Sequence, residues 1–354
     1  MDKEMSLEEI CRIIRPADGQ IMDEVWKKWD NICIPLRSLG WLQETMVRIA
    51  GVQRSLRPEI GRKLTFVMAA DNGVVAEGVS QSDHHVTTQV VKNMVHHKST
   101  ITLMSEYAGS EVLVVDIGMK EKVEGVLDLA LMAGTHNMAK GPAMDRETAV
   151  KAIERGASLA IQKAGEGYQL FATGEMGIGN TTTSSAILAV LSGEPVSEVT
   201  GRGAGLSGEG LKQKIATIEK AIRVNRPNRP DPVDVLAKVG GLDIAGLTGV
   251  FLGAAAAGVP VVIDGFIASV AALLAWKLCP AAIDGMIASH CSQEPGAVKA
   301  LEMLGLKPVI FGGLHLGEGS GALLLFPMLD QVVHLYRRLP SFEEGNIETY
   351  QPLK

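Results

Sequence analysis

Phe171-Ala-Thr-Gly174-Glu175-Met176-Gly177-Ile-Gly179-Asn180-Thr181-Thr182-Thr183 is the stretch that decides how this chain is read. The run before it, 168–172, is β-prone, and the three glycines let the backbone turn tightly and approach a ligand. Asn180, Thr181 and Thr182 are capping residues for a helix over 183–191, whose free N–H groups face whatever sits over the turn. Glu175 stands inside this anion-friendly turn. N–H groups and hydroxyls suit a phosphate and a carboxylate suits ribose hydroxyls, so a sugar phosphate fits. A well-capped helix after a strand, with no ligand, fits the same spacing.

Outward from that turn the chain keeps one rhythm. Strands are expected at 64–70, 112–117, 168–172, 261–263, 286–288 and 309–311. Helices are expected at 86–107, 146–164, 183–191, 206–224, 244–257, 266–276 and 297–304, and from 321 to 338. Alternation of this kind predicts an α/β fold, a largely parallel sheet with helices on both faces. Residues 1–60 read instead as helices at 7–14, 21–29 and 36–52, punctuated by Pro16, Pro35 and Pro58, a small helical layer.

Composition narrows the function classes. Hydrophobic residues make up 46% and charged residues 21%, so a large core is expected and disorder is not. A net charge of -6, with no Lys/Arg block, argues against nucleic acid as the main partner. Cys11, Cys33, Cys279 and Cys291 show no CxxC spacing, which predicts buried thiols in a reducing cytosol. The N-terminus has neither the basic nor the apolar region of a signal peptide. The uncharged run 244–263 imitates a membrane span, but its glycines and Pro260 resolve it into a helix and a buried strand. A soluble, cytoplasmic protein is expected.

On this scheme the polar residues gather at one sheet edge. Asp71 follows the first strand, Asp116 ends the second, Glu175 follows the third and Asp264 ends the fourth. Ser289 and His290 follow the fifth, and Glu318 lies in the loop after the sixth. Ligands of open parallel sheets sit outside the carboxyl ends of the strands. Each residue taken singly also reads as loop solvation or helix capping.

Two further glycine clusters matter. Gly203, Gly205 and Gly208 formally match GxGxxG, but no good strand precedes them and no acidic residue follows about twenty positions on, so a dinucleotide fingerprint is disfavoured. A glycine turn opening a helix, with Lys214 a turn inside it, still suits a phosphate. In Gly312-Gly313-Leu-His315-Leu316-Gly317-Glu318-Gly319, apolar neighbours such as Leu314, Leu316 and Met176 would desolvate Glu318 and raise its pKa toward a general base. An acidic N-cap of the next helix is the alternative. The pairs His84-His85 and His96-His97 lie on one helical face but about 16 Å apart along the axis, too far to share one ion, so no metal is expected. No G-x-S-x-G elbow anchors a hydrolase triad.

The motifs Ala70-Asp-Asn-Gly-Val-Val-Ala-Glu-Gly-Val-Ser80, Gly174-Glu-Met-Gly-Ile-Gly-Asn-Thr-Thr182, Thr200-Gly-Arg-Gly-Ala-Gly205, Ala288-Ser-His-Cys-Ser-Gln-Glu-Pro-Gly296 and Gly317-Glu-Gly-Ser-Gly321 run in order over most of the chain. With them the chain resembles the nicotinate-nucleotide–dimethylbenzimidazole phosphoribosyltransferases of cobamide lower-ligand assembly. The resemblance implies a large Rossmann-like domain, 61–326, and a small helical domain from both ends, 1–60 and 327–354. It implies a dimer, homodimeric or with a similar chain, whose partner subunit helps to close the site.

It also implies transfer of phosphoribose from nicotinate mononucleotide to an aromatic base, with release of nicotinate, inversion at the anomeric carbon, and no cofactor or metal. Glu318 matches the family's catalytic base. Glu175 and the turn of Met176, Gly177, Gly179, Asn180, Thr181 and Thr182 would hold ribose and phosphate, aided by Gly203 and Lys214. Ser80 and Gln89 match the acceptor pocket, and Ser289, His290 and Ser292 lie where nicotinate would leave. Asp264 and Leu316 are expected among the substrate-binding residues.

Departures from the family pattern bear on the acceptor. Gln81-Ser-Asp-His-His85 replaces an aromatic-Pro-Gln-Glu segment, Asn72 a common histidine, and Cys291 a larger residue. They make the acceptor wall more polar and admit phenols or purines beside benzimidazoles. Two other readings compete: a catalytically silent subunit of a heterodimer, and a nicotinamide-dinucleotide oxidoreductase resting on the GxGxxG match.

Overall fold

The computed structural model describes residues 5–349; the extremes of the expected small domain, 1–4 and 350–354, lie outside the described residues. The chain opens with α1 (Leu7–Ile13), where Ser6 and Glu9 form a capping box, and α2 (Gly19–Asn31), capped by Asp18. The third helix, α3, spans Trp41–Gln53 and starts later than its apolar spacing suggests. Arg37 and Gly40, both at positive φ, turn the chain first.

Strand β1 (Lys63–Ala70) follows. The long helix expected over 86–107 is two helices, α4 (His84–Val95) and α5 (Thr100–Ala108). The break is local chemistry: His97 takes φ 54°, and Ser99 caps α5 in a capping box with Thr102. Then come β2 (Ser110–Gly118), the two-residue edge strand β3 (Leu127–Asp128), α6 (Arg146–Gly165) and β4 (Leu170–Met176). The middle of the chain forms α7 (Asn180–Ser192), α8 (Val196–Val199), α9 (Gly208–Asn225), α10 (Pro232–Val239) and α11 (Leu242–Ala257). Strand β5 (Val261–Ile263), α12 (Phe266–Leu278), β6 (Met286–Ala288), α13 (Pro295–Leu304) and α14 (Ser320–Arg338) complete it.

The strands form one sheet, every pairing parallel, in the order β3-β2-β1-β4-β5-β6. This is the doubly wound order, and the crevice at its switch point opens between β1 and β4. The expected strand at 309–311 is absent. Ile310 makes a single parallel bridge to His290, and Phe311 is 78% exposed, so nothing holds that apolar run in a ladder.

Strand alternation divides the interior. Leu64, Phe66 and Met68 face one core with Ile153 of α6, Val250 of α11 and Leu273 of α12. Val67 and Ala69 face the other with Met46 of α3, Val91 of α4, Ile101 of α5 and Phe326 of α14. In that second core Trp29 of α2 lies 5.2 Å from Tyr336 of α14 between ring centroids, and Ile32 bridges to Ser341, so helices from both chain ends pack together.

The apolar run that imitates a span is α11 followed by β5, as the glycines and Pro260 imply. Among the described residues no helix is long and apolar enough to cross a membrane. Instead α11 lies against α6 with backbone on backbone: a methyl at Gly156 would overlap the Gly246 carbonyl, one at Gly249 the Ile153 carbonyl, and one at Gly253 the Ala157 carbonyl.

Candidate active site

The carboxyl ends of β4, β5 and β6 open into a cavity of about 330 Å³, and Glu175, Asp264, His290 and Glu318 all line it. Glu175 does not follow its strand; it lies inside β4, paired with Met68 of β1, and is 8% exposed. Burial pushes its carboxyl up to about 8, and the negative charge of Asp243 adds to the shift. Asn180 Nδ2 donates to Glu175 Oε2, and at 3.0 Å to Asp243 Oδ2. Asn180 is therefore no cap: Gly179, at φ 94°, occupies the N-cap of α7 without a side-chain bond, and the amide goes to two carboxylates.

Asp243 escaped the sequence reading. It opens an otherwise apolar helix and is fully buried, where burial pushes it up to about 6. The one signal was a lone acid before a long uncharged run.

Glu318 sits at φ 62°, held by its neighbours. Ser320 Oγ donates to the Gly317 carbonyl at 2.8 Å. The Glu318 backbone lies so close to β4 that a methyl at Gly174 would overlap its carbonyl oxygen. Its side chain is not the N-cap of α14. That helix is capped from across the sheet, by Asp264: Oδ2 accepts from Gly319 N at 3.1 Å, and Oδ1 from Gly321 N at 2.8 Å and Ala322 N at 3.1 Å. Burial pushes Asp264 up to about 7 against the pull of these N–H groups. Glu318 Oε2 is left buried with no hydrogen-bond partner. Burial raises the Glu318 pKa, with the Ile101 backbone N–H opposing. A carboxylate with an open acceptor oxygen facing a cavity is suited to taking a proton.

The glycine turns meet at the other end. Thr181, Gly203 and Arg202 line the same cavity. Lys214 is fully buried behind them; its Nζ donates to Thr181 Oγ1 at 2.8 Å and to the Gly201 carbonyl at 3.0 Å. Burial lowers the ammonium to about 8, with the charge of Glu294 opposing. Glu294 is a second residue the sequence reading left without a role. Its Oε1 accepts from Gly203 N at 3.0 Å and so fixes the second glycine turn.

Of the expected site residues, Ser80, Met176, Gly177, Gly179, Asn180, Thr181, Gly203, Asp264, His290, Ser292 and Leu316 line the cavity with Glu175 and Glu318. Four do not. Gln89 is exposed on α4, whose contribution to the wall is Val86 and Val90. Thr182 faces the interior and is fully buried. Lys214 acts from behind Thr181. Ser289 donates to the Ile263 carbonyl at 2.6 Å and pairs with His290 Nδ1 at 3.0 Å, which orients that ring. Burial lowers the His290 pKa, favouring the neutral imidazole.

Two of the five carboxylates expected at one site, Asp71 and Asp116, do not line this cavity and serve structure instead. Asp116 Oδ1 accepts from Gly118 N and Met119 N, and Oδ2 from Lys122 Nζ. Asp71 Oδ2 accepts from Lys120 N at 2.8 Å, and Asp71 lines a second, smaller cavity. Gln81 also lines the main cavity, its amide donating to the Gly205 carbonyl. His84 and His96 stand at opposite ends of α4, as their spacing requires.

A family model described as phosphoribosyltransferase matches residues 14–347. A nicotinate-nucleotide–dimethylbenzimidazole phosphoribosyltransferase from Alkaliphilus metalliredigens is 45% identical over 344 residues, covering 96% of this chain and 99% of the relative. One of the same name from Ruminiclostridium cellulolyticum is 44% identical over 352 residues, covering 99% and 100%. The crystal structure of CobT from Thermus thermophilus superposes with a TM-score of 0.89 at 38% identity, over 94% of this chain and 100% of that one. Matched over nearly its whole length, the chain belongs to the phosphoribosyltransferase family whose members carry the name nicotinate-nucleotide–dimethylbenzimidazole phosphoribosyltransferase.

Proposed function

We propose that this chain transfers the phosphoribosyl group of nicotinate mononucleotide to an aromatic lower-ligand base in cobamide biosynthesis, with Glu318 as general base. The observation that carries the reading is the unpartnered Glu318 Oε2 in one cavity with the turn at Gly177–Thr181. Phosphate is assigned to the opening of α7, where the helix end favours an anion and Thr181, Gly203 and Lys214 converge. Glu175, protonated at neutral pH by its raised pKa, donates toward a ribose hydroxyl while Asn180 steadies it. The acceptor approaches from the Ser80 and Leu316 wall, and its attacking nitrogen or oxygen gives its proton to Glu318 as the bond to C1′ forms. Nicotinate leaves as a neutral ring on the opposite face, because the pyridinium of the donor already carries the positive charge. It needs no acid.

The acceptor range is proposed to be wider than dimethylbenzimidazole, extending to phenols or purines. The wall is less polar than the departures in sequence imply: Asn72, Ser82, Asp83, His84, His85 and Cys291 do not line the cavity, and Gln81 gives its amide to the 201–205 turn, which leaves Val79, Ser80, Val86 and Val90 to contact the base. Mass analysis of products from nicotinate mononucleotide with mixed benzimidazole, purine and phenol acceptors tests both parts. Turnover of benzimidazoles alone overturns the wider range; no ribosylated base at all overturns the assignment. Replacing Glu318 by Gln keeps the shape and removes the base, and kcat is expected to fall about 10²–10⁴-fold. Retention of both Glu175 and Glu318 counts against a silent subunit.

A second copy, or a similar chain, is proposed to cover the face of α5 and α14. Leu103 is 58% exposed, Tyr107 91% and Leu324 43%, and Phe311 and Leu316 stand exposed in the loop before α14. The two-domain division at 1–60 with 327–354 against 61–326 is kept as part of this reading, supported by the packing of α2 on α3 and of α3 on α14. Four free cysteines suit a reducing cytoplasm, although only Cys279 is buried as expected and Cys11, Cys33 and Cys291 are partly exposed.

A further inference from the structure

Outside the cavity, the first turn of α4 meets the loop after β2. His84, His85 and Glu121 each offer one ligand atom there, and the three atoms lie within 4.8 Å of one another. His85 Nδ1 is 2.9 Å from Glu121 Oε1, and the two imidazole rings stand 4.3 Å apart between centroids. Two imidazoles and one carboxylate make a donor set of the kind zinc and its neighbours take, with a further position for water. The sequence spacing pointed away from a metal because it compared His84 and His85 with His96 and His97. The third donor comes from another element.

Both supports are fixed independently of an ion. Asp83 caps α4 and accepts from His85 N at 3.0 Å. Glu121 lies between two anchored residues: Lys120 N donates to Asp71 Oδ2, and Lys122 Nζ donates to Asp116 Oδ2 at 2.9 Å and Asp128 Oδ1 at 2.7 Å. Geometry held this way lowers the ordering cost of closing a ligand set.

A separate observation points to the same place. Asp71 is 1% exposed, takes the Lys120 N–H and approaches the Thr87 hydroxyl, and lines a small cavity together with His84, whose charge it feels. A metal-bound imidazole donates its outer N–H to a carboxylate in most sites, which fixes the ring and its tautomer. Asp71 supplies such an oxygen beside His84. The helix N-terminus and Lys120 disfavour a cation here, but Asp71, Asp83 and Glu121 outnumber them.

We propose that His84, His85 and Glu121 bind one divalent transition-metal ion of the zinc class, with Asp71 as outer acceptor for His84. The ion ties the start of α4 to the loop after β2. It thereby braces the 79–82 segment that forms part of the acceptor wall.

The test is a zinc titration of the untagged, chelator-treated full chain against a chromophoric chelator. One ion per chain with a Kd of micromolar or below is expected, together with a higher melting temperature on adding zinc. His85→Ala and Glu121→Ala should each weaken binding at least tenfold, while the double variant His96→Ala/His97→Ala should bind as the parent does. Both His85 and Glu121 are surface groups, so unchanged metal-free melting curves check that the variants fold. No stoichiometric zinc in the parent overturns the proposal. So does equal affinity in the His85 and Glu121 variants, or loss of binding in the His96/His97 variant instead.

Discussion

Glu318 and Glu175 are two glutamates that burial treats alike and geometry treats differently. Glu318 keeps an open oxygen; Glu175 has Asn180 on it. The raised pKa of Glu318 places the acid limb of the kcat/KM profile above the ordinary glutamate value of about 4.3, and Glu318→Gln should remove that limb with the activity. Glu175 speaks through stability. Its folded pKa of about 8 exceeds its unfolded value, so the folded chain holds the extra proton between those values. Its contribution is full below about pH 4 and is lost as pH rises toward 8. Glu175→Gln, which cannot ionise, should therefore gain melting temperature relative to the parent from pH 5 to pH 8. A constant difference across that range would contradict the shift. Asp264 and Asp243 act in the same sense nearer neutrality and acid pH.

At the scale of elements, the site depends on how α14 is fastened to the sheet. Asp264 takes three N–H groups around Gly319–Ala322 and so sets where Glu318 points. Asp264→Asn keeps one good acceptor and should cost about 1 kcal/mol, as loss of a cap does. Its kcat should fall far more than its KM for nicotinate mononucleotide changes, because the proposed phosphate contacts are at the start of α7 and the 201–205 turn. Equal effects on both constants would mean Asp264 touches the donor instead. The sequence made much of this legible. Runs such as Leu64–Ala70 are apolar on both faces and could hardly be anything but central strands, and the glycine clusters marked the turns. Most of what failed depends on partners distant in sequence, and one miss was local. The 309–311 run had strand composition but no neighbour to pair with, and α4 and α5 were merged because apolar spacing continues through a break made by His97 and Ser99. Asp243 drew no notice in the sequence, and it lies behind the cavity, joined to Glu175 through the Asn180 amide.

Over the whole molecule, one face is left apolar where the site opens. Leu103 and Tyr107 on α5 and Leu324 on α14 stand exposed, and α5 meets the loop that carries Glu318 through Ile101. Tyr107→Glu with Leu103→Glu should shift a dimer to monomer in light scattering and reduce activity at dilute enzyme, while melting of the monomer changes little. A parent chain that is monomeric at every concentration would remove the partner from the mechanism. The opposite side of the sheet has no such freedom. There α11 rests on α6 without side-chain padding, and Asp243 projects from its leading end. A rod seated so tightly transmits displacement rather than absorbing it. One methyl at Gly253, about 15 Å down the axis, would push the whole rod, and the proton held by the Asn180 pair would register the shove.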